Sequence, residues 1–192
     1  MTNSSYVIII FLNITKRLNI LKVEEIYLPA LDKGAIKNIL LGVKDCMYDK
    51  YFGYFSIGER WESSGRTITE TDLVSFSGLT GDYSPLHTDI EYAKNSFFKQ
   101  RIAHGMLVLS FSFGLLKFEP SIVIANYGLD RLRYIAPVFI NDTIHVQLEV
   151  LDLHDKGNGT GVVTVKHSIL KQTGETCIVG NTKILVKKEK GS

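Results

Sequence analysis

An aspartate and a histidine, Asp82 and His87, stand on either side of a proline in the segment Gly81-Asp82-Tyr83-Ser84-Pro85-Leu86-His87-Thr88-Asp89. Pro85 fixes its own backbone and restricts Ser84 before it, so the pair is expected on a rigid turn rather than a regular element. A turn of that kind can hold a carboxylate and an imidazole toward one site. General acid–base chemistry needs a base to activate a nucleophile such as water and an acid to return a proton. Asp and His can share both tasks through one water. In isolation an Asp and a His in a loop are more often surface or capping groups; the flanking motifs make this pair a catalytic candidate.

The elements that must position the pair follow from the pattern on either side. Phe52 to Arg66 reads as an opening strand with a turn at Ser56-Ile57-Gly58. Thr69 opens a capping pattern with Asp72, and Leu73, Phe76 and Leu79 recur behind it at helical spacing until Gly81 stops the helix. Asp89 suits the N-cap of a second short helix carrying Tyr92, Ala93 and Phe97, a role that fits it better than catalysis. Ile102 to Leu116 is apolar almost all round and is expected to be a buried central helix, with Pro120 beyond it.

Strand signals follow that helix. Ile124 to Tyr134 is the first, and Asp142 to Asp152 alternates Ile144, Val146, Leu148 and Val150 with His145, Gln147 and Glu149. Turns at Gly157-Asn158-Gly159 and Thr173-Gly174-Glu175 lead into Thr160 to Leu170 and Thr176 to Val186. Helices followed by a meander imply an antiparallel sheet wrapped on a long buried helix, an α+β architecture. His145 and His154 are expected to face solvent, His104 to pack at the helix start, and His167 is left open.

Composition narrows the classes. A chain of 192 residues with 45% hydrophobic and 22% charged residues is ordinary globular material, sized for one domain with an appendage. Residues 1–50 are read as an N-terminal extension of unassigned role and 51–192 as the working domain, with Met47 as a natural start. A net charge of +2 and the absence of a recognition motif argue against a nucleic-acid partner. The apolar run Tyr6 to Ile14 is shorter than the roughly 20 residues a membrane span needs, and lacks the flanks of a secretory leader. Cys46 and Cys177 form no paired motif, so neither zinc nor a disulfide framework is expected, and a reducing, cytoplasmic setting fits.

The pattern G-D-x-x-P-L-H-x-D from Gly81 to Asp89, with Ala93 after it and the later R-I-A-H-G-M from Arg101 to Met106, resembles the hydratase motif of MaoC-like (R)-specific enoyl-CoA hydratases. The resemblance covers roughly residues 52 to 187. It implies a hot-dog fold, a curved antiparallel sheet around a long helix, paired into a homodimer whose sheets join. It gives Asp82 and His87 the acid–base work and makes the Gly105 backbone N–H the donor to the thioester carbonyl. The start of a helix supports that last role, because its N–H groups lack internal partners and its dipole favours negative charge. The implied substrate is an acyl-CoA or acyl carrier protein thioester of fatty acid metabolism. Coenzyme A enters only as part of the substrate, and neither a metal nor another cofactor is required.

Two positions depart from the family pattern: Ser84 stands where Asn is usual, and Phe113 where many hydratases have a Ser in the central helix. Ser84, Pro85, Met106 and Phe113 are taken as substrate-side residues, with Leu107, Phe111 and Phe113 lining an acyl tunnel or filling a plain core. Arg131 and Arg133 read equally as ligands for coenzyme A phosphates or as exposed strand charges. The activity expected is reversible hydration of trans-2-enoyl-CoA to the (R)-3-hydroxyacyl-CoA. An acyl-CoA thioesterase on the same fold, and a noncatalytic acyl-CoA-binding subunit, are its rivals.

Overall fold

The alternation from Ile144 to Val150 is what gives the sheet an inner face: these four apolar residues are buried, while the residues between them are partly or fully exposed. The computed structural model describes residues 47–189. A 3-10 turn at Phe52–Tyr54 precedes strands β1 (Arg60–Glu62) and β2 (Arg66–Thr67). Four helices follow: α1 (Glu70–Thr80), α2 (Pro85–Thr88), α3 (Ile90–Asn95) and α4 (Gly105–Leu115). Strands β3 (Val123–Tyr134), β4 (Thr143–Asp155), β5 (Thr160–Lys171) and β6 (Thr176–Lys187) complete the described chain. The sheet runs β1-β4-β5-β6-β3, with β2 also on β4, and its pairings are antiparallel. This is the expected α+β hot-dog arrangement of an unclosed sheet with a buried helix.

Helix α4 buries Leu107, Val108, Leu109 and Ser112. The three apolar ones share a cluster with Ile144, Ile169 and Ile178 from the sheet and Leu73 from α1. Each such aliphatic side chain contributes about 1.5 to 3 kcal/mol when fully buried. A second cluster gathers Met47, Tyr48, Phe52 and Phe55 against Val146, Val163, Val165 and Ile184. Met47 and Tyr48 are therefore core, so among the described residues packing already includes positions ahead of 51. The apolar run at 6–14 and Cys46 lie outside the described residues.

Several local expectations are corrected. The opening strand is interrupted, because the Ser63 hydroxyl accepts from the Val146 N–H at 2.9 Å and replaces a ladder carbonyl between β1 and β2. Helix α4 is not buried all round: Met106, Ser110 and Gly114 are exposed on one stripe, since a single sheet covers only part of a helix. Leu79 and Phe97 are exposed rather than inward-facing, Leu79 in the last turn of α1 and Phe97 beyond the end of α3. Among the described residues, no helix is long and apolar enough to cross a membrane.

Candidate active site

Helix α1 delivers Asp82 to its place. The Thr69 hydroxyl accepts from the Asp72 N–H at 3.2 Å, and the Asp72 carboxylate accepts from the Thr69 N–H at 2.8 Å, so the expected cap closes reciprocally. Partial burial pushes the Asp72 carboxyl up, but the Thr69 hydrogen bonds and the neighbouring Arg66 together outweigh it and hold the group below its usual range. Gly81 ends the helix with φ 77°, a left-handed conformation that glycine adopts without penalty, and turns the chain into Asp82. One Asp82 carboxylate oxygen then accepts from the Ser84 N–H at 3.2 Å.

His87 sits on α2, a single helical turn with Pro85 at its start, where the sequence predicts an irregular turn. The physical reason is that proline suits the first turn of a helix as well as a loop, and the Ser84 carbonyl is free to accept from the His87 N–H at 2.9 Å. The Ile102 N–H donates to the Leu86 carbonyl at 3.1 Å, tying this turn to the chain leading into α4. His87 Nδ1 lies 2.7 Å from the Ile102 carbonyl, an acceptor only, so Nδ1 carries the hydrogen and Nε2 is left to act as base. Arg101, beside it, makes a bidentate ion pair with Glu70, whose carboxyl it holds below the usual range.

His104 joins them. Its ring stacks on that of His87 at 3.8 Å between centroids, and its Nε2 donates to the Asp82 main-chain carbonyl at 3.1 Å. It is 2% exposed, with its Nδ1 buried and unpartnered. Burial lowers its pKa, opposed by the Asp82 carbonyl and assisted by the neighbouring His87. A buried nitrogen without a partner costs on the order of 1 to 3 kcal/mol.

Asp82, His87 and His104 bring ligand atoms within 4.8 Å of one another, donor types that could hold a metal. Each imidazole, however, already spends one nitrogen on a main-chain carbonyl, and the remaining His104 Nδ1 is buried. The arrangement suits acid–base chemistry better than coordination.

His87, but not Asp82, lines a cavity of about 620 Å³ together with Phe98, Gly105, Met106, Tyr134 and Val138, among others. Gly105 is the first residue of α4, as expected, and its N–H lies in the position where a helix offers donors to an anion. Glycine is demanded here by close approach: a Cβ would lie 2.6 Å from the Tyr134 ring. The Tyr134 hydroxyl in turn donates to the Met106 sulfur at 3.1 Å.

Not every expected site residue lines this cavity. Met106 does. Ser84 and Pro85 shape the turn instead, and Phe113 packs between the two core clusters with its ring 5.4 Å from that of His167. The tunnel expected along the helix at Leu107, Phe111 and Phe113 is thus core, and the cavity gathers at the N-terminal end of α4. Arg131 and Arg133 are exposed away from the cavity lining; Arg131 has φ 53° beside a register shift in β3, and Arg133 donates to the Leu132 carbonyl at 2.8 Å. Sequence reasoning missed the wall formed by Tyr134, Ile135, Ala136 and Pro137, whose signal is an apolar strand end closed by proline. His145 is only partly exposed, 3.4 Å from Glu62, whereas His154 faces solvent as expected.

Comparison with known proteins bears on the family and the fold. Residues 55–172 match the model of the MaoC like domain. The chain is 35% identical over 123 residues to an (R)-specific enoyl-CoA hydratase of Rhodospirillum rubrum, covering 64% of this chain and 78% of that protein. It is 40% identical over 104 residues to Protein MaoC of Klebsiella aerogenes, covering 53% of this chain but only 30% of that one. An Archaeoglobus structure described as a monoamine oxidase regulatory protein superposes with a TM-score of 0.69 at 41% identity, over 73% of this chain and 95% of the other. A double hot-dog protein of Mycobacterium tuberculosis, at 19% identity, shares the fold with a TM-score of 0.66, over 74% of this chain and 46% of its own. With its hot-dog architecture, its Gly81–Asp89 motif and a matching family model over most of the described residues, this chain belongs to the MaoC-like dehydratase domain family.

Proposed function

We propose that this protein catalyses reversible (R)-specific hydration of trans-2-enoyl thioesters to (R)-3-hydroxyacyl thioesters. The observation that carries the reading is the meeting of Asp82 with His87, which lines a largely apolar cavity together with the first residue of α4. One water held by the Asp82 carboxylate and His87 Nε2 loses a proton as its oxygen attacks C3. The same pair returns a proton to C2 on that face, and the Gly105 N–H holds the enolate oxygen meanwhile. The relatedness to an (R)-specific enoyl-CoA hydratase supports the same reaction class.

Coenzyme A is the proposed carrier, with Arg131 and Arg133 as the groups that meet its phosphates, and no resident cofactor or metal is needed for the chemistry. Strand β3 is at the end of the sheet order and bears half-exposed Ile124, Tyr127 and Tyr134. An unpaired strand edge of this length suits pairing with a second copy, which makes a homodimer the proposed assembly. The cytoplasm is the proposed setting.

The test is loss of conjugated-thioester absorbance on adding protein to crotonyl-CoA, with chiral analysis of the product and Asp82→Asn and His87→Ala as controls. The reading expects the (R) alcohol from wild type and none from folded variants. Release of free thiol instead of hydration would favour the thioesterase.

A further inference from the structure

We infer that His104 is a positioning residue that fixes the acid–base pair and the oxyanion donor relative to one another; this rests on the hydratase reading above. Its ring lies face to face with His87 at 3.8 Å, and its Nε2–H holds the main-chain carbonyl of Asp82 at 3.1 Å. It is also the N-cap of α4, so the next residue along the chain is Gly105 itself. One side chain and its backbone therefore touch all three groups the reaction uses.

The surroundings explain why this residue is a histidine. Stacking needs a flat ring, and holding the Asp82 carbonyl needs a donor on that ring's far edge; imidazole supplies both, whereas phenylalanine supplies the first and glutamine the second. Phe76 closes over the ring at 5.1 Å and the Ser77 hydroxyl lies 3.4 Å from Nε2, so the side chain is clamped by α1 as well as by α4. The opposite nitrogen, Nδ1, is buried with no partner. A group placed only to fill space would be more stable as a ring without nitrogen, so the position carries a cost that packing does not repay.

The Asp82 turn depends on few other contacts. Within it, the Asp82 N–H reaches the Thr80 hydroxyl at 3.3 Å and the Ser84 N–H reaches the carboxylate at 3.2 Å, both short-range bonds at the surface. The His104 bond joins the turn to the helix that bears Gly105, and displacements near 1 Å in a reacting pair are worth about 100-fold in rate.

The experiment compares wild type, His104→Phe and His104→Gln for thermal melting and for kcat and KM on crotonyl-CoA. Positioning predicts that His104→Phe melts at or above wild type, loses about 10- to 100-fold in kcat with KM within about twofold, and that His104→Gln recovers part of kcat despite melting lower. A packing role predicts the reverse order, with activity following melting temperature, and that result would overturn the inference. So would a His104→Phe variant with wild-type kcat. An inert wild type would overturn the hydratase reading together with the inference, which separates the two failures.

Discussion

The two ends of helix α4 each meet a buried histidine, and the two differ in what surrounds them. His104, at the N-terminal end, and His167, on β5 facing Phe113 toward the other end, are both 2% exposed, and each leaves one ring nitrogen unpartnered. His104 rests on the Asp82 carbonyl and the His87 ring. His167 has only the Thr182 hydroxyl at 3.0 Å and the edge of the Phe113 ring. Burial alone pushes His167 down to about 4, while at His104 the Asp82 carbonyl opposes it. Both rings are shut from solvent, yet one is a site residue and the other a core residue, because His104 alone of the two meets the reacting groups.

That contrast can be broken in four ways. At the site end, Asp82→Asn should reduce turnover by about 10² to 10⁴ while shifting the melting temperature by only a few degrees, since the residue is exposed and the Ser84 N–H keeps an amide oxygen to donate to. Kinetics on crotonyl-CoA beside thermal melts check both halves. At the core end the balance should invert. Phe113→Ser, which installs the residue many hydratases carry, should cost about 3 kcal/mol in urea unfolding because both clusters lose a ring, with KM for crotonyl-CoA changed less than threefold. A large KM change would mean that Phe113 is a wall of the acyl site after all.

His167 should show a comparable loss as a function of pH. Its pKa falls from 6.5 to about 4 on folding, so the unfolded chain takes the proton first. Stability is then full above about pH 6.5 and is lost as pH falls toward 4, by about 3 kcal/mol in all, with no further loss from this group below that. Urea midpoints across this window should flatten in His167→Gln. The smallest effect is expected at the surface. Arg131→Gly relieves a left-handed backbone and should stabilise by less than about 1 kcal/mol, while raising the KM for the coenzyme A thioester if the guanidinium meets its phosphates. An unchanged KM would return Arg131 to the class of exposed strand charges.

Much of this molecule was legible in local pattern. The Thr69–Asp72 cap, the left-handed stop at Gly81, the Asp89 N-cap and the alternation along β4 each depend on neighbours within a few residues, and each stands as the sequence predicts. The broken opening strand was not legible, because Ser63 interrupts it by bonding to Val146 on β4, which lies far along the chain. Nor was Leu79, which keeps helical spacing but falls past the edge of what the core covers. Phe113 reads as tunnel wall or core with equal ease until the position of His167 is known.

By itself the sequence determined the candidate acid–base pair, the proline-bearing segment that carries it and the family, since residue type and short spacing fix reactive groups and restrict the local backbone. The tertiary structure decided which face of α4 meets the sheet, where the cavity opens and which buried histidine keeps company with the reacting groups. Those outcomes depend on contacts such as His104 with Asp82 and Phe113 with His167, between residues separated along the chain, whose pairing is selected by packing of the whole core.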